Sequence, residues 1–102
     1  MGARLDLHAL LKALAGEGWN VYFVEPETVA MEYPCIRYER DYRAVQHANG
    51  KPYTGRWRYL VTVIDYDEES DVLEKIAALP LCVFDRHFTA ENLNHDTFQL
   101  YF

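Results

Sequence analysis

The spacing of leucines near the start of the chain predicts an amphipathic helix. Four of them recur at the i, i+3, i+4, i+7 positions that share one helical face: Leu7, Leu10, Leu11 and Leu14. Gly16 and Gly18 follow, and glycine is the residue that most often ends a helix. We therefore predict a helix over residues 4–15 whose leucine face turns to the core.

A second apolar stripe follows a run of acidic residues and predicts another helix. The stripe consists of Val72, Leu73, Ile76 and Ala77. Asp67 or Ser70 can cap this helix, acidic residues in its first turn suit the helix dipole, and Pro80 ends it. The acidic run at 65–71 lacks the glycine and spacing of a calcium loop, so a solvated helix start is the favoured interpretation.

Shorter apolar segments, alternating or β-branched, predict five strands. They lie at 20–24, 35–40, 57–66, 81–88 and 95–102. In the segment 57–66 both faces are apolar, which indicates a strand covered on both sides or a strand with one side against a partner. The order of elements predicts one α+β domain over residues 1–102, a mostly antiparallel sheet of four to five strands with two helices packed on one face.

The polar segment 41–54 predicts a long connection between two strands. It contains Asn49-Gly50, a strong turn signal, and Pro52. Four of its residues are candidates for contact with another chain: Arg43, His47, Lys51 and Tyr53. Two interpretations stay open, a surface loop without a partner and an arm that reaches a neighbouring subunit.

Composition excludes several classes of partner. The net charge of −6 argues against nonspecific binding to nucleic acid and to anionic membranes. No apolar run reaches the length of a membrane helix, and the start of the chain does not resemble an export signal. The two cysteines, Cys35 and Cys82, are then expected to be free thiols. The 15% aromatic content is high for so small a core, and it favours an oligomer with aromatic side chains at its interfaces.

The polar residues offer little catalytic or metal-binding chemistry. The four histidines and two cysteines match no zinc spacing, and no nucleophile, phosphate-binding or dinucleotide motif is present. We expect no catalytic residue, no metal and no cofactor. In the run 85–87, strand alternation would place Asp85 and His87 on one face and Arg86 on the other. That run forms either an ion pair within the sheet edge or one between subunits.

Four sequence strings carry a resemblance to a known family. They are YPCIRYER at 33–40, YLVTVID at 59–65, LPLCVFDRHF at 79–88 and ENLNHD at 91–96, followed by FQLYF at the end. Together they resemble the short tail terminator, tail completion or minor tail proteins of long-tailed bacteriophages and prophages. The resemblance extends from about residue 20 to the last residue.

The resemblance implies a non-enzymatic structural protein of the virion, located in the neck region of the tail and assembled in the host cytoplasm. Members of this family form a homohexameric ring at the head-proximal end of the tail tube, where they stop tube polymerisation. The implied partners are other copies of the chain, the tail tube protein and the head–tail connector or stopper. DNA passes through the lumen without specific binding. The alternatives are another neck component, such as a head–tail stopper or connector adaptor, and a cytosolic interaction module unrelated to phage.

Overall fold

The computed structural model of the protein describes residues 3–23, 32–48, 51–67 and 70–102, with the backbone alone at 3, 41–48 and 51–56. Two helices and five strands follow one another as α1 (Ala3–Ala15), β1 (Asn20–Phe23), β2 (Cys35–Ala48), β3 (Lys51–Asp65), α2 (Asp71–Ala77), β4 (Cys82–Ala90) and β5 (Leu93–Tyr101). This is the predicted order of elements, with shifts at several ends.

The first helix forms where the leucine spacing predicts it. Leu7 and Leu11 are fully buried, and Leu10 and Leu14 are half-buried against the same core. The helix ends at Gly16, which has a φ of +81° and donates its backbone N–H to the carbonyl of Lys12 at 3.0 Å. Because side chains rarely adopt this left-handed conformation, a glycine suits the position.

The second helix begins at the predicted cap. The Ser70 hydroxyl accepts a hydrogen bond from the backbone N–H of Val72 at 3.3 Å. Val72 and Ile76 are buried, whereas Ala77 is exposed at the end of the helix. The predicted stripe was therefore one residue too long at its C-terminal end. Ala77 is the last residue of α2, and the helix ends before it reaches the sheet again.

The five strands form one mixed sheet in the order β1-β2-β3-β5-β4. The pair β1–β2 is parallel, and the three other neighbouring pairs are antiparallel. The α+β class and the mostly antiparallel sheet are confirmed. The central position of β3 explains why its sequence is apolar on both faces, because neighbouring strands and core clusters enclose it.

Both helices pack on one face of the sheet, as predicted, and form the main core with it. The sheet contributes Ile36, Tyr38, Tyr59, Val61, Val63, Phe98 and Leu100. Cys35, Ile64 and Leu93 form a smaller cluster packed against Tyr22 and Tyr33. Register places Cys35 opposite Ile64 and Ile36 opposite Val63, so the two clusters lie on opposite faces.

Tyr38 joins the first helix to the sheet through both packing and hydrogen bonds. Its ring is fully buried, and its hydroxyl lies 2.8 Å from Nδ1 of His8 and 3.3 Å from a guanidinium nitrogen of Arg4. Burial, with a smaller contribution from the neighbouring cations, lowers the pKa of His8. The sequence pattern placed Tyr38 on a buried face and did not identify its polar partners.

The last two strands meet in a turn that is shorter than predicted. The strands were predicted at 81–88 and 95–102, but β4 continues to Ala90 and β5 begins at Leu93. Glu91 and Asn92 connect them with φ values of +53° and +65°. Two successive positive φ angles are typical of a tight hairpin turn, and asparagine tolerates them better than most residues.

Candidate interaction surfaces

The edge strand β4 leaves large apolar side chains in contact with solvent. Among the described strands it pairs with β5 alone. The exposed fractions are 61% for Val83, 53% for Phe84 and 42% for Phe88. Free edges offer unpaired backbone groups to other chains, and natural proteins usually keep them short or charged. A nine-residue edge with exposed aromatic rings is therefore a candidate interaction surface.

Exposure of this edge follows from how little the helices cover it. Phe84 packs edge-on against Phe98, with ring centroids 5.5 Å apart, yet half of it faces solvent. Val83 pairs with Gln99 on the face that carries no helix. The residues predicted as contacts on this strand were the charged ones at 85–87, and its exposed apolar residues were missed. The available signal was the apolar string at 81–84, which alternation alone would have placed on both faces.

A β-bulge in β4 changes the arrangement expected for the charged run. Phe84 pairs with Phe98 and Arg86 with Thr97, so Asp85 is the extra residue. The Thr97 hydroxyl donates to Oδ2 of Asp85 at 2.9 Å and accepts from the backbone N–H of Arg86 at 3.2 Å. Nε of Arg86 lies 3.3 Å from the same carboxylate. Asp85 and Arg86 thus form one local pair.

His87 lies apart from that pair. Its Nδ1 is 2.8 Å from Oδ1 of the buried Asp96, its register partner on β5. Because Asp96 and Thr97 are neighbours on β5, their side chains take opposite faces of the sheet. The prediction that Asp85 and His87 share a face was therefore wrong, since the bulge shifts the alternation by one residue.

The predicted loop at 41–54 is mostly strand. β2 continues to Ala48 and β3 begins at Lys51, and the two pair throughout, from Cys35 with Ile64 to Ala48 with Lys51. The expectation of a long loop was wrong. Two polar segments can form a β-ladder through their backbone hydrogen bonds even when neither face of the ladder is buried. The turn predicted at Asn49-Gly50 falls outside the described residues, between the two paired strand ends.

The outer part of this hairpin extends past the rest of the sheet. The β1 ladder ends at Tyr38 on β2, and the β5 ladder ends at Arg58 on β3. Residues 43–57, which we call the arm, thus form a ladder only with each other among the described strands, and at its base the Trp57 carbonyl accepts a hydrogen bond from the backbone N–H of Phe102 at 3.1 Å. At about 3.3 Å per residue, six or seven residues give the arm a length of roughly 20 Å. The molecule is correspondingly long, 49 × 25 × 23 Å.

The arm concentrates positive charge. It contains Arg43, Lys51 and Arg56 and no Asp or Glu, which gives a net charge of +3. Since the whole chain has a net charge of −6, the remainder carries −9. All four candidates of the polar segment, Arg43, His47, Lys51 and Tyr53, lie in the arm.

The two predicted sets of interface residues do not come together within one chain. The arm continues β2 and β3 past one end of the sheet, whereas residues 85–87 lie in the middle of β4, and β5 separates β4 from β3. One chain therefore presents two distinct free surfaces, a basic two-stranded arm and an apolar edge.

The two thiols lie in different clusters. Cys35 is fully buried, and burial raises its pKa to about 11. Cys82 is half-buried against the helix-side core, and burial raises its pKa as well. A raised pKa disfavours the reactive thiolate. Within the described residues, no three of the histidine, cysteine and acidic side chains converge on a common point.

A small apolar pocket of about 160 Å³ adjoins the start of β4. It is lined by Leu10, Leu79, Pro80, Leu81, Leu100, Tyr101 and Phe102. The described part of the chain contains no helix long and apolar enough to cross a membrane.

No family model, no curated protein and no solved structure matches the chain.

Proposed function

We propose that the protein is a non-enzymatic structural component of a phage or prophage virion. In this role it forms a ring of identical subunits, by resemblance six, at the head-proximal end of the tail. The ring ends polymerisation of the tail tube and offers a joining surface to the head connector. The observation that carries the proposal is the resemblance of strings at 33–40, 59–65, 79–88 and 91–96 to the tail terminator and tail completion proteins.

The location of these strings supports the proposal. They fall at the start of β2, at the end of β3, along β4 and in the first half of β5, which are four neighbouring strands. The resemblance also implies an α+β fold with a sheet flanked by helices, which is the fold of this chain.

The two free surfaces supply what a ring requires. A closed ring is built from head-to-tail contacts, in which one patch of each subunit meets a different patch of the next. The arm at 43–57 and the edge at β4 are different in shape and charge, and β5 separates β4 from the strands of the arm. Each subunit can therefore use both at once.

Charge is consistent with a passage for DNA. Outside the arm the chain carries a net −9, and a lumen lined by acidic surface repels phosphate. Such a lumen lets the genome pass without holding it. The basic arm would then contact protein, either the neighbouring subunit or the tail tube.

The proposal is tested with the purified chain and the tail tube protein encoded in the same phage or prophage genome. We expect light scattering or negative-stain images to show rings on the ends of tubes, and tubes of defined length only when the chain is present. Binding to connector proteins but not to tubes would instead identify a stopper or adaptor. A chain that binds neither would be a cytosolic interaction module, and the proposed function would be wrong.

A further inference from the structure

We propose that the free edge of β4 is the surface that receives the arm of the neighbouring copy, so that each subunit adds a strand to the sheet of the next. The inference rests on the proposed function for the closed ring, but the contact itself does not require the tail. The occupant is a second copy of this chain.

The first argument is that β4 is a long edge strand with exposed apolar side chains. It is nine residues long, and the exposed side chains of Val83, Phe84 and Phe88 lie along it. The other edge strand, β1, has only four residues. Addition of a strand to β4 would satisfy its outward backbone groups and cover its apolar side chains at the same time.

The second argument is that the arm is a strand pair of matching size. Each of its two strands offers six residues, 43–48 and 51–56, whose outer edge has no partner among the described strands. The β3 side contains Pro52 and Gly55, which weaken strand pairing. The β2 side, residues 43–48, contains neither, so we assign the contact to that side.

The third argument is charge. The arm carries +3, and the remainder of the chain carries −9, so an arm is attracted to any neighbouring body and repelled by another arm. Glu91, in the turn beyond Ala90, places an acidic group beside the proposed contact, whereas Asp85 at the bulge is paired with Arg86. The apolar pocket at Leu81 continues the apolar surface at the other end of β4.

Two variants test the two sides of this contact separately, one the arm and the other the β4 edge. The short-arm variant replaces residues 44–56 with Asn-Gly, which joins the register partners Arg43 and Trp57 by a two-residue turn. The blocked-edge variant carries Val83→Lys and Phe88→Lys, which place positive charge where the basic arm would dock. Val83→Lys alone is the milder version, because Phe88 stacks on His95. The matched control is Leu5→Lys, which changes an equally exposed apolar residue on α1.

We expect the wild-type chain and the Leu5→Lys control to form higher oligomers in light scattering. Each of the two variants alone should be monomeric and should still unfold in one cooperative transition. An equimolar mixture of the two should form a one-to-one heterodimer and nothing larger, because one intact arm then meets one intact edge. Amide exchange in that heterodimer should slow in β4 of the short-arm chain.

The alternative contact, a two-fold pairing of β4 with β4, gives different results. The short-arm variant would then still dimerise, and the mixture would contain no heterodimer, which would overturn the inference. A wild-type chain that stays monomeric at its highest soluble concentration would overturn it too. If the folded blocked-edge variant caps tails normally, this inference is wrong and the proposed function still stands.

Discussion

The body of the molecule and its arm are built from the same two strands under different physical conditions. Between Cys35 and Tyr38, β2 lies under the helices, and Ile36 and Tyr38 are fully buried. From Arg43 outward, the same strand pairs with β3 alone among the strands that the structure describes. One end of the hairpin is thus held by tertiary packing, and the other by its own ladder.

The difference teaches which residues carry stability and which are available for contact. Apolar burial is the dominant favourable contribution to folding, and the main core described by the structure lies in the body. A two-stranded ribbon in water is marginally stable by itself. The arm can therefore change without loss of the fold, and a partner strand would stabilise it.

The largest effect on stability is expected in the core of the body. Leu11→Ala should lower the free energy of unfolding by roughly 2–5 kcal/mol, since Leu11 is fully buried between α1 and the sheet. Leu5→Ala, on the same helix but exposed, is the matched control and should change it little. Chemical denaturation of both variants is the measurement. Equal stability of the two would contradict the assigned helix face.

A smaller effect is expected at the start of the second helix. Ser70→Ala removes the acceptor for the backbone N–H of Val72 and should cost about 1 kcal/mol. Ser70→Asp retains an acceptor and should keep most of the stability. Thermal melts of the three proteins test this, and an alanine variant as stable as the wild type would show that the cap is not needed.

A pH-dependent effect is expected where α1 meets β2. The folded state lowers the pKa of His8 below 6.5, so the unfolded chain binds the proton more tightly. Stability from this source is complete above pH 6.5 and falls as the pH drops through that value. His8→Gln should remove this part of the pH dependence. The free energies of unfolding of the two proteins, measured by denaturation at each pH, should differ increasingly as the pH falls. A difference that does not change with pH would contradict this prediction.

The smallest effect on stability is expected in the arm. Replacing residues 44–56 with Asn-Gly should change the free energy of unfolding by less than about 1 kcal/mol, because closing a shorter loop costs little and none of the described core residues is removed. The same variant should lose its ability to form rings and to set tube length. A large loss of stability would mean that the arm packs on the body, and normal rings would mean that it serves only as a connection.

Much of the fold could be predicted from local patterns. The leucine spacing located α1, Ser70 located the start of α2, and alternation placed Phe98 and Leu100 on the core face of β5. The ends of β2 and β3 could not be located in this way, because their outer halves are polar and bury no face. The bulge at Asp85 was also outside the reach of strand alternation, which assumes an unbroken period of two.

The candidate surfaces divide along the same line. The sequence by itself determined the charge of the arm and identified Arg43, His47, Lys51 and Tyr53 as members of one polar segment. It also contains the strings on which the proposed function rests. Only the tertiary structure decided that this segment is a paired arm, that β4 is the long free edge, and that Val83, Phe84 and Phe88 are exposed. The physical reason is that charge and local periodicity belong to neighbouring residues, whereas exposure depends on which distant strands and helices come to lie alongside.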